Sequence, residues 1–418
     1  MPGKKMGYNG VRKAGEAMVI GIIGAGASGM AAALAASQNP NVQVILFERQ
    51  ARVGRKLQAT GNGRCNLTNL HALEGGYHGQ DADFAQPALQ ALPPERTLDW
   101  FRSMGLFTVA EESGRVYPYS DQANSVVDVL RLALNKENVT LRTGFEVRRL
   151  RKECEGFLVE GSEETVFCNK IIVACGGLAG TKLGGSMSGY QLLGKLGHRS
   201  TRLRPALVQV KCAWPGVSAL KGVRANARVQ ICRDGECIRE STGEVQFTEY
   251  GLSGPVIFEV SRDMCRGDVA VLDLLSQWEE EVLYGELKRR QKTALPVEEL
   301  LTGILHNRLG RVLTKTAGVR CSGLVSELSD KDLTDVCRTV KALEITLTEP
   351  LGMDSAQVTA GGVLTGDFCP DTMESRLVPG LYACGEVLDI DGDCGGYNLQ
   401  WAWSSGYCAG SHGGKETT

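Results

Sequence analysis

Short apolar runs alternate with amphipathic stretches along the first half of the chain. Val19–Ile23 is a β-branched run typical of a buried strand. The Ala-rich stretch 26–37 predicts a helix, and Val42–Phe47 predicts the next parallel strand. A strand, a helix and a strand in this order predict a β-α-β unit, and so a fold of the α/β class.

Two amphipathic helices and several strands follow in the pattern. Residues 94–104 and 123–137 have apolar positions at helical spacing. Val139–Leu141 predicts a further strand, and the alternating runs between 145 and 168 predict an antiparallel meander. Ile171–Cys175 predicts a buried strand. We therefore expect a parallel sheet together with a small antiparallel one.

The character of the sequence changes near residue 200 and again near residue 350. Short alternating strands are predicted over 207–258, and the sequence after Ser276 is helical and charged. Gly-rich segments then return, with a strand at Leu381–Cys384 and a closing helix from about Leu399. We predict one domain in two parts, 18–198 and 351–412. An inserted domain of β and helical character occupies 199–350, and a disordered extension occupies 1–17.

Composition and charge argue against several classes of protein. Apolar residues make up 43% and charged residues 22% of the 418 residues, as in ordinary globular proteins. The net charge of −2 argues against extended wrapping of nucleic acid. The 14 Cys show no CxxC pair and no zinc-type spacing, so we expect reduced thiols, no metal site and a cytoplasmic protein. Gly, Ser and Gln interrupt the longest apolar stretch, which makes it a poor membrane span.

The segment GAGASG, Gly24 to Gly29, stands between the first strand and the first helix. In such a turn the first Gly allows a tight bend, the second lets the backbone approach a pyrophosphate, and the third allows close packing of helix on strand. The phosphate lies at the helix N-terminus, where Ser28 adds a hydroxyl. Glu48, 19 residues after Gly29, ends the second strand and is placed to hold a ribose diol. An acid at this place favours FAD or NAD.

The loop GRKLQATGNGRCN begins six residues after Glu48 and favours FAD over NAD. FAD extends past its pyrophosphate into ribitol and isoalloxazine, and a loop rich in Gly, Asn and Arg suits that extension. Glycines allow positive φ and backbone contact, side-chain amides and hydroxyls bond to the flavin, and a cation neutralises the pyrophosphate. The residues expected to do this are Arg55, Lys56, Thr60, Gly61, Asn62 and Gly63.

The segment GLYACGEVLDIDGDCGGYNLQWAWSSG, 380–406, predicts a strand, a Gly-rich loop and a helix. Its acid, Glu386, is expected near the ribitol or pyrophosphate. The helix N-terminus, with the backbone of Asn398 and Leu399, is expected at the flavin edge where negative charge accumulates on reduction. The side chains of Leu399, Trp401 and Trp403 are expected in the core, with their backbone facing the cofactor.

In this order, GAGASGMAAA, GRKLQATGNGRCNLTN, TAGGV and GLYACGEVLDIDGDCGGYNLQWAWSSG resemble the BaiN/RdsA family of NAD(P)/FAD-dependent oxidoreductases. The resemblance covers about 18–410. It implies an FAD-binding Rossmann-type domain that is interrupted by a two-part inserted domain. The expected cofactor contacts are Gly24, Ala25, Gly26, Ala27, Ser28, Gly29, Glu48, Arg49, Arg55, Lys56, Thr60, Gly61, Asn62, Gly63, Val147, Gly385, Glu386, Asn398 and Leu399.

The resemblance implies reduction of carbon–carbon double bonds with FAD, with NAD(P)H as the expected electron donor. An enone reduction needs a hydrogen-bond donor for the developing enolate oxygen and an acid for the α-carbon. Arg64, Cys65, Cys394 and Tyr397 are candidates, although the sequence singles out none of them. The sequence leaves two interpretations of Cys65 open, a thiol whose pKa the neighbouring Arg64 lowers and a packed thiol.

Members of the family are associated with different substrates, so alternatives stay open. We favour a 3-oxo steroid or bile acid intermediate, a small apolar enone. The alternatives are a dihydrouridine synthase acting on ribosomal RNA, an aminoacetone-type amine oxidase and a non-catalytic flavin-binding sensor. The basic runs 148–152, 198–204 and 288–292 could hold RNA phosphates, but such runs are usually solvated faces. Nucleic acid is therefore expected only in the RNA alternative, and no membrane partner is expected.

Overall fold

Strands and helices alternate in the computed structural model, which describes residues 17–415. The predicted extension 1–17 lies outside the described residues except for Ala17. The strands are β1 Met18–Ile23, β2 Val42–Glu48, β3 Thr68–Asn69, β4 Tyr77–His78, β5 Thr108–Ala110, β6 Arg115–Pro118, β7 Val139–Thr143, β8 Arg149–Glu153, β9 Gly156–Glu160, β10 Thr165–Cys168, β11 Lys170–Val173, β12 Arg204–Ala206, β13 Val210–Cys212, β14 Arg224–Arg233, β15 Glu236–Phe247, β16 Gly251–Ser253, β17 Val269–Asp273, β18 Leu343–Pro350, β19 Val358–Ala360, β20 Leu381–Ala383 and β21 Asp391–Gly392. The α-helices are α1 Ala27–Ala36, α2 Arg55–Ala59, α3 Gln86–Ala91, α4 Pro94–Ser103, α5 Ala123–Ala133, α6 Ser188–Gly194, α7 Pro255–Ser261, α8 Glu280–Arg290, α9 Asn307–Thr316, α10 Asp330–Lys341 and α11 Tyr397–Gly413.

The chain divides into two compact units. Residues 17–204 and 358–415 form the first unit, and Pro205–Gln357 form the second. The second unit starts six residues later and ends seven residues later than the insertion predicted at 199–350. The predicted assignment of 18–198, 199–350 and 351–412 as domains stays a prediction.

A five-stranded parallel sheet organises the first unit, in the order β20-β11-β1-β2-β7. The register places Ile22 of β1 between Ile172 of β11 and Leu46 of β2. All three side chains are fully buried. A parallel sheet that is covered on both faces needs such apolar strands, which is why the hydrophobic pattern predicted β1, β2 and β11.

Helices α1 and α11 pack against each other with their backbones in close approach. A side chain at Gly406 of α11 would overlap the Ser28 carbonyl of α1, and a side chain at Gly410 would overlap the Ala32 carbonyl. Small residues on both helices therefore allow this approach. The packing fixes the N-terminal ends of both helices in the first unit.

A closed six-stranded barrel forms the β part of the second unit, in the order β13-β16-β15-β14-β17-β18. Alternate residues such as Val229, Ile231 and Leu272 are buried. The strands predicted over 207–258 supply only part of this barrel, because β17 and β18 come from later in the chain. The end of that predicted series was wrong in one place, since Pro255–Ser261 forms α7. Pro at the first helical position favours this start.

Two predicted element ends also differ from the structure. Helix α5 ends at Ala133 rather than at residue 137. Beyond it, the Asn138 side chain donates to the carbonyls of Ser37, Asn39 and Val42, which requires an irregular backbone there. Helix α11 begins at Tyr397, two residues before the predicted start at Leu399. None of the helices between residues 17 and 415 has the length and apolar character that a membrane span needs.

Candidate functional site

The first Gly-rich turn contains two tightly packed glycines and one that borders open space. Gly24 has φ +105°, and a Cβ there would lie 2.5 Å from the Ala174 carbonyl oxygen. A Cβ at Gly29 would overlap the Gly24 carbonyl. At Gly26, in contrast, a Cβ would meet no heavy atom within 4 Å. The turn thus leaves room for a ligand beside Gly26.

The N-terminal end of α1 presents backbone donors next to that space. The first helical bond runs from the Met30 N–H to the Gly26 carbonyl, at 3.0 Å. The N–H groups of residues 27–29 therefore precede the helical ladder, as at every helix start. Such groups, together with the helix dipole, suit an anionic ligand such as a pyrophosphate.

Glu48 stands at the end of β2 beside the Gly-rich turn. Its carboxylate accepts from the Ala25 N–H at 2.9 Å and from the Gln50 N–H at 2.9 Å. A carboxylate has about four lone-pair sites, so these two bonds leave acceptor capacity for ribose hydroxyls. The Glu48 carbonyl accepts from the Phe145 N–H at 2.9 Å. This bond holds the segment after β7 that leads to the buried Val147.

The neighbouring residues of the turn are held inside the fold. Ala25 is fully buried, and its carbonyl accepts from the Gly54 N–H at 2.9 Å. Ser28 is also buried, and its hydroxyl lies against Gly385, where an added Cβ would approach it to 2.6 Å. This side chain packs on the third motif, and the expected hydroxyl–phosphate bond of Ser28 stays a prediction. Its backbone N–H stays at the helix end.

The second motif is a strained turn rather than a plain loop. It begins with the short helix α2 and continues through Thr60–Gly63 as a 3₁₀ turn. Gly61 and Asn62 both have φ +57°, and Gly63 has φ +86°. A left-handed Asn is uncommon, and such conformations occur often at functional sites. A Cβ at Gly63 would meet open space, as at Gly26. The Thr60 hydroxyl is used locally and donates to the Leu57 carbonyl at 2.7 Å.

The three cations predicted near the cofactor have different partners. Arg49 donates to the Gly184 carbonyl at 2.7 Å, and Arg55 donates to the Gln50 side chain at 3.0 Å. Lys56 forms an ion pair with Glu386 at 2.7 Å. This pair joins the second motif to the third. The role of a cation at the pyrophosphate stays a prediction, and for Lys56 the Glu386 carboxylate offsets part of the charge.

The third motif meets the other two at the C-terminal end of β20. Gly385 has φ +74°, and its N–H donates to the Ser405 hydroxyl at 3.0 Å. Glu386 accepts from the Thr359 N–H at 2.8 Å. Gly396, with φ +107°, precedes α11, and a side chain there would overlap the Thr68 carbonyl at the end of the second motif. The fold therefore brings the three motifs to one edge of the parallel sheet.

The start of α11 is fixed by Asn398. Its side chain accepts from the Gly392 N–H at 2.8 Å and donates to the Gly392 carbonyl at 2.7 Å. The backbone of Asn398 and of the partly buried Leu399 precedes the first helical bond, which Gln400 N–H makes to Gly396. Trp401 and Trp403 are buried, so the prediction that their side chains are core is confirmed.

The candidate catalytic side chains are not arranged as a single acid–donor pair. Arg64 pairs with Asp121 and lies over the Tyr117 ring, 4.0 Å from its centroid. Cys65 is fully buried, and this burial raises the pKa of its thiol to about 12. Of the two interpretations of Cys65, the structure therefore favours the packed thiol over one whose pKa Arg64 lowers. Tyr397 stacks edge-on with a tyrosine ring, and the catalytic roles of these residues stay predictions.

Comparison with known proteins identifies the family of this chain. The profile of the HI0933-like protein Rossmann domain matches residues 18–412. The chain belongs to this family. A 3-dehydro-bile acid delta(4,6)-reductase of Clostridium scindens is 40% identical to the HI0933-like chain over 94% of it and 98% of that relative. A ribosomal RNA dihydrouridine synthase of Escherichia coli is 34% identical over 93% of the chain and 96% of that relative.

One solved structure shares the fold of this HI0933-like protein at low identity. The 3-ketosteroid delta1-dehydrogenase of Sterolibacterium denitrificans, in complex with 1,4-androstadiene-3,17-dione, has a TM-score of 0.51 and 13% identity. The match covers 94% of the chain and 99% of that structure. The family, the fold class and the expectation of a flavin-dependent oxidoreductase are confirmed by these comparisons together.

Two features of the HI0933-like site were missed by the sequence interpretation. Asn66 has a buried side-chain oxygen for which residues 17–415 provide no hydrogen-bond partner. Gly176 has φ +68°, and a Cβ there would meet open space. Asn66 lies in the quoted loop, and Gly176 follows β11 in a Gly-Gly pair, so both carried a signal. An unpaired buried acceptor is costly unless a ligand supplies a donor.

Proposed function

We propose that this HI0933-like protein binds FAD at the edge of the parallel sheet and reduces an activated carbon–carbon double bond. The observation that carries the proposal is the meeting of three motifs around glycines that border open space. Gly26, Gly63 and Gly176 would each accept a Cβ without contact, although they lie in turns whose other glycines are tightly packed. Space of this kind suits a ligand that lies along the backbone.

The donor and acceptor groups fit the successive parts of FAD. The N-terminal end of α1 at Gly26 would hold the pyrophosphate. The carboxylate of Glu48 would accept from ribose hydroxyls. The turn at Gly63 and the unpaired oxygen of Asn66 would face the flavin, whose ring carries an N–H donor. Lys56 would donate to the pyrophosphate, with part of its charge offset by Glu386.

The residues of this chain supply binding and electrostatics, whereas FAD, when bound, supplies hydride transfer at N5. The N-terminal end of α11, at Asn398 and Leu399, favours negative charge close to it. Packing of α11 on α1 through Gly406 keeps this helix end in place. The chain would thus stabilise a reduced, anionic cofactor edge before substrate arrives.

We further propose a 3-oxo steroid or bile acid intermediate as substrate and NAD(P)H as electron donor. The support is the 40% identity to a protein named 3-dehydro-bile acid delta(4,6)-reductase, which extends over 98% of that relative. Such a substrate is small and apolar, with a carbonyl that accepts charge during reduction. Since the sequence has no second Gly-rich dinucleotide turn with a strand and an acid around it, NAD(P)H would visit the flavin side transiently.

A dihydrouridine synthase acting on ribosomal RNA is the second candidate function. It is supported by the 34% identity to a protein of that name and by a groove of about 570 Å³ whose lining includes four basic side chains, Leu150 and Glu153. Arg149, Arg151, Lys152 and Lys195 border this groove. However, Arg151 pairs with Glu160, which reduces the free positive charge there. The amine oxidase and the sensor alternatives have no observation of their own.

Anaerobic reoxidation of the reduced protein separates these functions. The FAD-loaded chain is reduced with NADH or NADPH, and its flavin absorbance is followed after mixing with a 3-oxo-Δ4 steroid or with unmodified ribosomal RNA. We expect the steroid to restore the oxidised spectrum and to gain two hydrogens by mass spectrometry. Reoxidation by RNA with formation of dihydrouridine, and none by steroid, would overturn the substrate proposal. A flavin that is never reoxidised by either would overturn the reductase itself.

A further inference from the structure

A hairpin at one end of the barrel places two cysteines side by side. Strands β14 and β15 are joined by Asp234 and Gly235, with φ +50° and +85°. Positive φ at both positions defines a two-residue type I′ turn, whose geometry fixes the register of the strands. The turn is closed by Arg233 opposite Glu236.

Cys232 and Cys237 are the next pair along this hairpin and lie directly opposite each other. Because the pair that closes a two-residue turn is hydrogen-bonded, the next pair is of the non-hydrogen-bonded kind. The Cα atoms of such pairs lie about 4.5 Å apart. This is within the range of about 4.4–6.8 Å that a disulfide bond spans. The register shift in the hairpin falls between Ile231 and Cys232, so it leaves this pair aligned.

Both thiols can be reached from solvent. Cys237 is exposed, Cys232 is partly exposed, and both are free thiols. Cys237 is the more exposed of the two, so it is the thiol that a small reagent meets first. Burial raises the pKa of Cys232. Among residues 17–415, no cluster of three His, Cys, Asp or Glu side chains is suited to a metal ion. The pair therefore does not read as part of a zinc site.

We propose that Cys232 and Cys237 form a redox-responsive disulfide site that exchanges with low-molecular-weight disulfides. In the first step the Cys237 thiolate attacks the small disulfide, forms a mixed disulfide and releases one small thiol. In the second step the Cys232 thiolate attacks the Cys237 sulfur, forms the protein disulfide and releases the second small thiol. The two protein thiols are oxidised, the small disulfide is reduced to two thiols, and the two protons pass to solvent or to the leaving thiolates.

The proposal does not depend on the proposed reductase activity, because the hairpin belongs to the second unit and uses no cofactor residue. Its closest competitor is Cys265. This thiol is exposed, and the adjoining Asp268 pairs with Arg233 beside the hairpin turn. A disulfide between Cys265 and either hairpin cysteine would be a different site, so the test must identify the linked pair.

Peptide mapping of the full-length, FAD-loaded protein tests the proposal. The folded protein is incubated with oxidised glutathione, its remaining thiols are blocked, and the peptides are analysed without reduction. We expect a Cys232–Cys237 crosslink that a dithiol reductant removes, with loss of two free thiols per chain. Cys232→Ser should instead trap glutathione on Cys237, and Cys265→Ser should leave the crosslink unchanged.

Three outcomes would overturn the proposal. The first is a hairpin that keeps both thiols reduced while the exposed Cys154 becomes glutathionylated. The second is separate glutathione adducts on both hairpin cysteines. The third is a crosslink that contains Cys265. The circular dichroism spectra of the variants confirm that each chain stays folded, so a missing crosslink cannot be attributed to unfolding.

Discussion

Two sets of glycines in the first unit differ in what surrounds them. At the crossing of α1 and α11, and at Gly29, any side chain would overlap a backbone carbonyl. Around the proposed cofactor site, Gly26 and Gly63 border empty space. A glycine in the first set serves the fold, whereas we propose that a glycine in the second set serves a ligand. Glycine therefore has two different roles in this unit, and only the surrounding structure distinguishes them.

The largest expected effect comes from a substitution at one of the tightly packed glycines. In Gly406→Val the new side chain overlaps the Ser28 carbonyl, which cannot move without displacing α1. We expect the free energy of unfolding to fall by about 3 kcal/mol or more. Urea denaturation of the purified protein measures this change. A stability close to that of the unchanged chain would show that the close packing of α1 on α11 is not needed.

A substitution at a glycine that borders open space should leave the stability of the fold nearly unchanged and weaken FAD binding. Gly26 has φ −84°, so Gly26→Ala is free of backbone strain, and its methyl group meets no protein atom. We expect unfolding of the cofactor-free protein to change by less than about 0.5 kcal/mol. FAD affinity should fall about tenfold or more, which corresponds to about 1.4 kcal/mol.

Gly194→Ala is the matched control for Gly26→Ala. Gly194 also has open space around its Cβ position, but it lies in α6 and carries no predicted cofactor contact. Fluorescence titration with FAD should give the unchanged affinity for this control. Equal affinities for both variants would remove the distinction between the two sets of glycines.

A smaller effect is expected at the ion pair that joins the second and third motifs. Lys56→Met removes a partly exposed pair with Glu386, so the loss of stability should stay below about 1 kcal/mol. Lys221→Met breaks an exposed pair with Glu249 of the same length in the second unit. FAD titration should show weaker binding only for Lys56→Met. Equal binding by the two variants would contradict a role of Lys56 at the pyrophosphate.

The smallest expected effect is a pH dependence of stability that arises from the packed side chain of His198. His198 is buried between the Leu193 carbonyl at 3.1 Å and the Ser375 hydroxyl at 2.8 Å. Burial lowers its pKa below the ordinary 6.5, against the opposing effects of the Leu193 carbonyl and Asp367. Its contribution is therefore fully present above pH 6.5 and is lost as pH falls through the lower folded value.

Denaturation curves at several pH values check this sign. The unchanged protein should lose stability on acidification through the range below pH 6.5, and His198→Gln should lose less. The glutamine keeps a neutral group that can bond to Ser375. An identical pH dependence in both proteins would assign the acid sensitivity to other groups.

The parts of the fold that depend on local pattern were predictable. Val42–Glu48 has the alternating pattern of a strand, and Ala27–Ala36 has the Ala-rich composition of a helix. The closure of the barrel was not predictable, because β18 joins β13 and β17 across long stretches of chain. Such pairings are set by the whole fold and leave no local signal.

The site shows the same division. The glycines of GAGASG and the acid Glu48 were predictable, since the motif and its spacing carry the geometry. The partner of Lys56 was not, because Glu386 lies 330 positions away in the chain. The choice between a packed Cys65 thiol and one whose pKa Arg64 lowers could not be made from the sequence, because the charge of Arg64 is visible there and the burial of the thiol is not.

The flavin content of the purified full-length chain tests the central claim most directly. The protein is denatured, the released cofactor is separated by chromatography, and its amount is compared with that of the protein. The account predicts FAD, close to one molecule per chain after incubation with excess FAD and removal of the unbound cofactor. A cooperatively folded chain that retains no FAD under these conditions would contradict it.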